Sequence, residues 1–132
     1  MWTLAQETDT MNPGHRTPPP WRDMNLPRTL ITAAAGAYAT NCALGASVAA
    51  GWVDTSNFRW VHHGLYILTA TTTVAAFSAC AARRSPAAIA LAAAAAPLFL
   101  LQHHGARPLR RHTRDALLAA PCYAAGLVLA RR

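Results

Sequence analysis

Long stretches free of charge, separated by short arginine-bearing ones, constrain this chain more than any other feature. From Thr29 to Trp52 about 24 residues pass without an Asp, Glu, Lys or Arg, and from Ala87 to Leu101 there is no polar side chain. A helix rises about 1.5 Å per residue, so the first stretch covers about 36 Å, enough to cross a hydrocarbon core of about 30 Å. Of the 132 residues 53% are hydrophobic and 13% charged, and 12 basic residues, all arginine, face 5 acids for a net charge of +7. Apolar content this high excludes a wholly disordered chain, and the length leaves room for one compact unit at roughly 100–200 residues per domain. The absence of lysine and the abundance of alanine are what the codon usage of a high-GC bacterium writes without functional selection.

Start and stop signals bracket four helical segments. The first spans 29–52, closed near Gly51. The second spans 59–82, preceded by Asp54-Thr-Ser-Asn57, whose side chains accept from free N–H groups, and followed by Arg83 and Arg84, cations suited to the carbonyl end of the helix dipole. The third, 86–104, opens on Ser85 and Pro86 as N-cap and first helical residue and is stopped by Gly105 and Pro108. The fourth, 113–130, has Asp115 in its first turn and Arg131 and Arg132 at its end. Ahead of them, residues 1–27 carry Pro13, Pro18, Pro19, Pro20 and Pro27 and read as a flexible, disordered Pro-rich tail. The predicted fold is all-α: an integral membrane four-helix up-down bundle over 28–132 behind that tail. A soluble bundle would need polar stripes at helical spacing, which 87–101 lacks. A signal-peptide reading, with Met24–Arg28 as basic region and Ser47–Ala49 as small-residue site, fits less well, because the apolar region exceeds the usual 7–15 residues or so.

Small residues recur every four positions in the first segment, as Ala33, Ala37, Asn41, Gly45 and Ala49, and beside them as Ala35, Ala39, Ala43, Ser47 and Gly51. Such rows let helix backbones approach closely when lipid removes the hydrophobic drive to associate, so Asn41, Gly45 and Ala49 are expected at a helix-packing contact, with the Asn41 amide seeking a partner on another helix. Cys42, Cys80 and Cys122 fall one to a segment with no CxxC spacing, so they read as small apolar side chains.

Two histidine doublets, His62-His63 and His103-His104, each precede a glycine. Segment two starts where segment three ends, so a four-span bundle brings both doublets to one end, together with His112, Asp54 and Asp115. Imidazoles on facing helices can ligate haem b or a transition metal, and Tyr66, one turn from His62, is placed to orient it. Adjacent residues point about 100° apart on a helix, however, and no HxxxH or CxxCH pattern is present. Histidines at helix ends also sit among headgroups without a ligand, which is the reading expected here, with no cofactor.

Between the third and fourth segments Arg107, Arg110, Arg111 and Arg114 form the densest basic run, suited to anionic lipid headgroups. No nucleic-acid recognition motif accompanies the charge, so nucleic acid is not an expected partner. Arginines number seven on the side of both termini against five on the histidine side, which leans toward cytoplasmic termini in a multi-pass protein of the plasma membrane. No GxSxG, P-loop or Ser-His-Asp arrangement occurs, and none of the charge-free stretches holds a carboxylate. The functional expectation is a non-catalytic accessory or binding component that packs against the bilayer, copies of itself or a larger membrane protein. The alternatives are a haem- or metal-binding redox or sensor protein using the histidine pairs, and a holin-like pore former.

Overall fold

The computed structural model describes residues 25–54, 59–104 and 109–131. Among them the regular elements are four α-helices, α1 (Leu26–Ala49), α2 (Arg59–Ala82), α3 (Ala87–His104) and α4 (Leu109–Leu129), packed together with no strand. Helices α1 and α2 form one closely packed antiparallel hairpin and α3 and α4 another; α2 against α3 and α1 against α4 join the hairpins along a looser seam. The expected tail lies outside the described residues up to position 24.

Local chemistry fixes the helix ends. Pro27 occupies the first turn of α1, where its missing N–H costs nothing, so α1 begins at Leu26, three residues before the expected start. Its other end comes earlier than expected too, because Gly51, at φ +72°, turns the chain: the Gly51 N–H donates to Val48 O at 3.0 Å and the Trp52 N–H to Ser47 O at 2.9 Å. Helix α2 ends with the same pair of bonds, Arg84 N–H to Ala81 O and Ser85 N–H to Cys80 O, each 2.9 Å, but here a non-glycine, Arg84, takes the left-handed position at φ 53°. Ser85 Oγ then accepts from the Ala87 N–H at 3.3 Å, as an N-cap does.

Helix α4 starts at Leu109 rather than Thr113, a correction with a clear cause. The Thr113 hydroxyl donates back to Leu109 O at 3.0 Å, the bond of a threonine inside a helix, and Arg110, Arg111 and His112 belong to the first turns instead of a loop. Asp115 is therefore well inside α4. Helices α3 and α4 also run through internal prolines, Pro97 and Pro121, each of which removes one ladder hydrogen bond.

The apolar core is small and sits toward the end where α1 begins and α4 ends. Ile31, Ala34, Ala76, Cys80, Ala87, Leu91, Ala119 and Tyr123 pack there, alanine being the commonest member. The large apolar side chains instead cover the outside: Trp60, Val74, Ile89, Phe99 and Leu117 are each more than 60% exposed. Two helices, from Trp60 to Ala82 and from Ala87 to His104, are long and apolar enough to cross a membrane by length and composition.

Candidate functional site

One face of α4 turns polar groups toward the interior, where Thr69 and Thr73 of α2 are buried too. His112, Asp115, Ala119, Tyr123 and Gly126 recur at three- and four-residue spacing and turn toward the other helices. Asp115 is 1% exposed, and its Oδ2 accepts from Nδ1 of His104 on α3 at 3.1 Å. Its Oδ1 is buried without a hydrogen-bond partner among the described residues, the Arg114 Nε standing 3.8 Å away. One turn earlier, the His112 ring centroid lies 6.3 Å from that of His62 on α2. Gly45 of α1 faces the same imidazole, since a Cβ there would lie 4.0 Å from His62 Cε1.

Further along the bundle two tyrosines cross the seam. Tyr38 of α1 donates to Ala116 O of α4 at 2.6 Å and stacks on Tyr123, centroids 4.7 Å apart. The Tyr123 hydroxyl meets Thr73 Oγ1 of α2 at 2.5 Å, while Thr73 donates to Thr69 O at 2.6 Å and Thr69 to Leu65 O at 2.8 Å. The tyrosine is thus the donor to Thr73, whose proton is already committed. One turn beyond Tyr38, Asn41 has its amide Oδ1 buried with no donor among the described residues. The bundle axis is therefore lined by imidazoles and a carboxylate at the histidine end, by the Tyr38, Tyr123 and Thr73 hydroxyls further in, and by alanines toward the other end.

The histidine doublets divide as their angular spacing requires. His62 is half-buried and faces His112, while His63 and His103 are exposed, His103 stacked on Phe99 at 6.1 Å; His104 is exposed as well, at 38%, but its Nδ1 reaches the buried Asp115. Among the described residues no three His, Cys, Asp or Glu side chains gather in a way that could hold a metal ion. Tyr66 does not orient His62; its hydroxyl reaches α3, 3.2 Å from Leu98 O and 3.1 Å from Gln102 Oε1, and so ties α2 to α3. Of the expected packing residues, Asn41 and Gly45 are half-buried, and Ala49 is exposed at the end of α1. Arg110 and Arg114 border a shallow groove of about 500 Å³ on α4 with Leu117 and Leu118 below them, and Arg111 is exposed nearby. Arg107 lies outside the described residues.

Asp115 as an interior carboxylate is what sequence reasoning missed. Its four-residue spacing to Ala119 and eight-residue spacing to Tyr123 was the available signal, masked because a helix starting at Thr113 puts Asp115 in the first turn, where the helix dipole alone accounts for a carboxylate. Chemically, the His104–Asp115 hydrogen bond clamps α3 to α4. No protein-family model matches the chain, and no curated protein or solved structure is significantly similar to it.

Proposed function

We propose that the chain is a small multi-pass integral membrane protein of the cytoplasmic membrane, acting without a catalytic centre as an accessory or binding component through helix packing. One observation carries this reading: large apolar side chains face outward while a carboxylate, threonines and a tyrosine are buried. In water each large side chain left uncovered forgoes about 1.5–3 kcal/mol of burial, whereas in lipid the same surface is solvated. Two further features fit. Thr71 and Thr72 satisfy their hydroxyls on Ile67 O and Leu68 O of their own helix, and the internal prolines of α3 and α4 are of the kind that spanning helices tolerate.

The outer face of α1 suggests how such a protein would meet a partner helix. Thr32, Gly36, Ala39, Ala43, Ala46 and Ala50 are all exposed and all small, so another backbone can approach closely there. A second copy or a larger membrane protein would dock on this face, with Gly45 turned away toward His62. The groove below Arg110 and Arg114 suits a lipid headgroup above acyl chain. The metal or haem alternative is less well supported, since His62 and His104 have separate partners and His63 and His103 are exposed.

Membrane fractions from cells expressing the chain test the reading. The protein is expected to stay with the bilayer through alkaline carbonate extraction, and release into the soluble fraction would refute it. Ala39→Leu with Ala43→Leu should reduce association in mild detergent; an unchanged assembly size would remove α1 as the docking face.

A further inference from the structure

The end of the bundle opposite the histidines holds a second site of different character. A cavity of about 420 Å³ opens there between the start of α1, the α2–α3 turn and the end of α4. Its size falls within the range of about 300–1,000 Å³ common for small-molecule sites. Arg28 and Arg83 border it from two separate elements, and Pro27, Pro86 and Leu129 supply apolar walls. The two described carboxylates, Asp54 and Asp115, follow α1 and sit in the first half of α4, at the other end. Every charged side chain described at the cavity's end, Arg28, Arg83, Arg84 and Arg131, is cationic.

The backbone adds to this field. Asn25, at the N-cap of α1, makes no side-chain hydrogen bond to the helix, and its carbonyl accepts from Thr29 N–H as the first rung of the ladder. The N–H groups of Leu26 and Arg28 therefore lie outside the helical ladder, at the positive end of a 24-residue dipole that borders the cavity. The carbonyl end of α4, at Leu129 and Ala130, borders the same cavity and opposes that dipole, so the Arg28 and Arg83 guanidinium groups carry the site, and together they call for an oxyanion bearing several acceptors.

The walls decide which oxyanion. Leu26 and Val128, each one residue from a pocket residue, Pro27 and Leu129, are exposed apolar side chains at the same end of the bundle. We propose that this cavity binds the phosphate of an anionic phospholipid between Arg28 and Arg83, with its acyl chains along those side chains. The proposal rests on the membrane reading above. It gives the bundle a lipid-selective contact at the end opposite the Arg110–Arg114 groove.

The test uses the full chain reconstituted into vesicles of phosphatidylcholine with and without phosphatidylglycerol, followed by native mass spectrometry of the protein released in mild detergent. Retention of phosphatidylglycerol in preference to phosphatidylcholine is expected from the unaltered protein. Arg28→Gln with Arg83→Gln should weaken it roughly 25-fold, each cation near an anionic surface contributing about fivefold. Arg110→Gln with Arg114→Gln removes the cations of the other groove, at the opposite end, so the loss caused by Arg28→Gln with Arg83→Gln should be the same in its presence as in its absence. Equal retention of both lipids by the unaltered protein, or selectivity carried instead by Arg110 and Arg114, would overturn the assignment. Displacement by millimolar inorganic phosphate would overturn the lipid in favour of a free anion. A chain that enters vesicles but selects no headgroup fails only this inference, whereas a chain that stays out of vesicles refutes the membrane reading and this site with it.

Discussion

A carboxylate that is 1% exposed depends on its donors, and among the described residues Asp115 has a hydrogen-bond donor on one oxygen only. Removing His104 leaves Oδ2 as bare as Oδ1 in the interior. His104→Ala is therefore expected to lower stability by about 1–3 kcal/mol, the cost of an abandoned buried acceptor. Replacing both partners, as in His104→Leu with Asp115→Leu, should cost less than the sum of the single changes, because no orphaned charge remains. Unfolding titrations in mild detergent measure the cycle; strict additivity would mean that the pair is not coupled. A hydroxyl deletion, Tyr123→Phe, should cost about 0.5–1.5 kcal/mol by the same measurement, since Thr73 loses a donor but keeps its own bond to Thr69 O.

At the scale of single helices, two residues are worse than the best alternative at their positions. Arg84 holds a left-handed conformation that costs an L-residue about 1–2 kcal/mol and glycine almost nothing. Arg84→Gly should therefore raise stability by about 1 kcal/mol and leave the α2–α3 turn unchanged. Gly126 shows the reverse case. A Cβ there would meet Leu91 Cδ2 at 3.7 Å and Ile31 Cγ2 at 3.8 Å, ordinary contact distances, so Gly126→Ala should stabilise α4 by about 0.5–1 kcal/mol. A loss of stability would show the seam to be tighter than these distances imply. The helices themselves were legible from capping chemistry: Gly51, Arg83–Arg84 and Ser85–Pro86 act where the sequence places them, and α2 runs over its expected 59–82. The start of α4 was not, because Thr113 reads equally as a cap and as an interior threonine until its hydroxyl partner is seen.

For the whole molecule, four packed helices followed from the charge-free segments, whereas the polar axis did not. Sequence spacing tells which residues share a face of one helix; it does not tell that Tyr38 will find Ala116 or that Tyr123 will find Thr73, contacts made across the seam between hairpins. The three thiols report on that packing. Cys80 is fully buried among core residues, whereas Cys42 and Cys122 are half-buried, so a maleimide should label Cys80 last in the native protein and all three alike once unfolded. Early labelling of Cys80 would mean that the hairpins separate readily.

The polar bonds of α4 also imply an order of assembly. Tyr38 on α1, Thr73 on α2 and His104 on α3 each find a partner on α4, at Ala116, Tyr123 and Asp115. During synthesis α1, α2 and α3 leave the ribosome before any of these partners exists. A chain interrupted ahead of Asp115 has α1 to α3 and none of the three bonds that α4 supplies, so α4 seals these three helices, and a product truncated there is expected to be cut faster by protease.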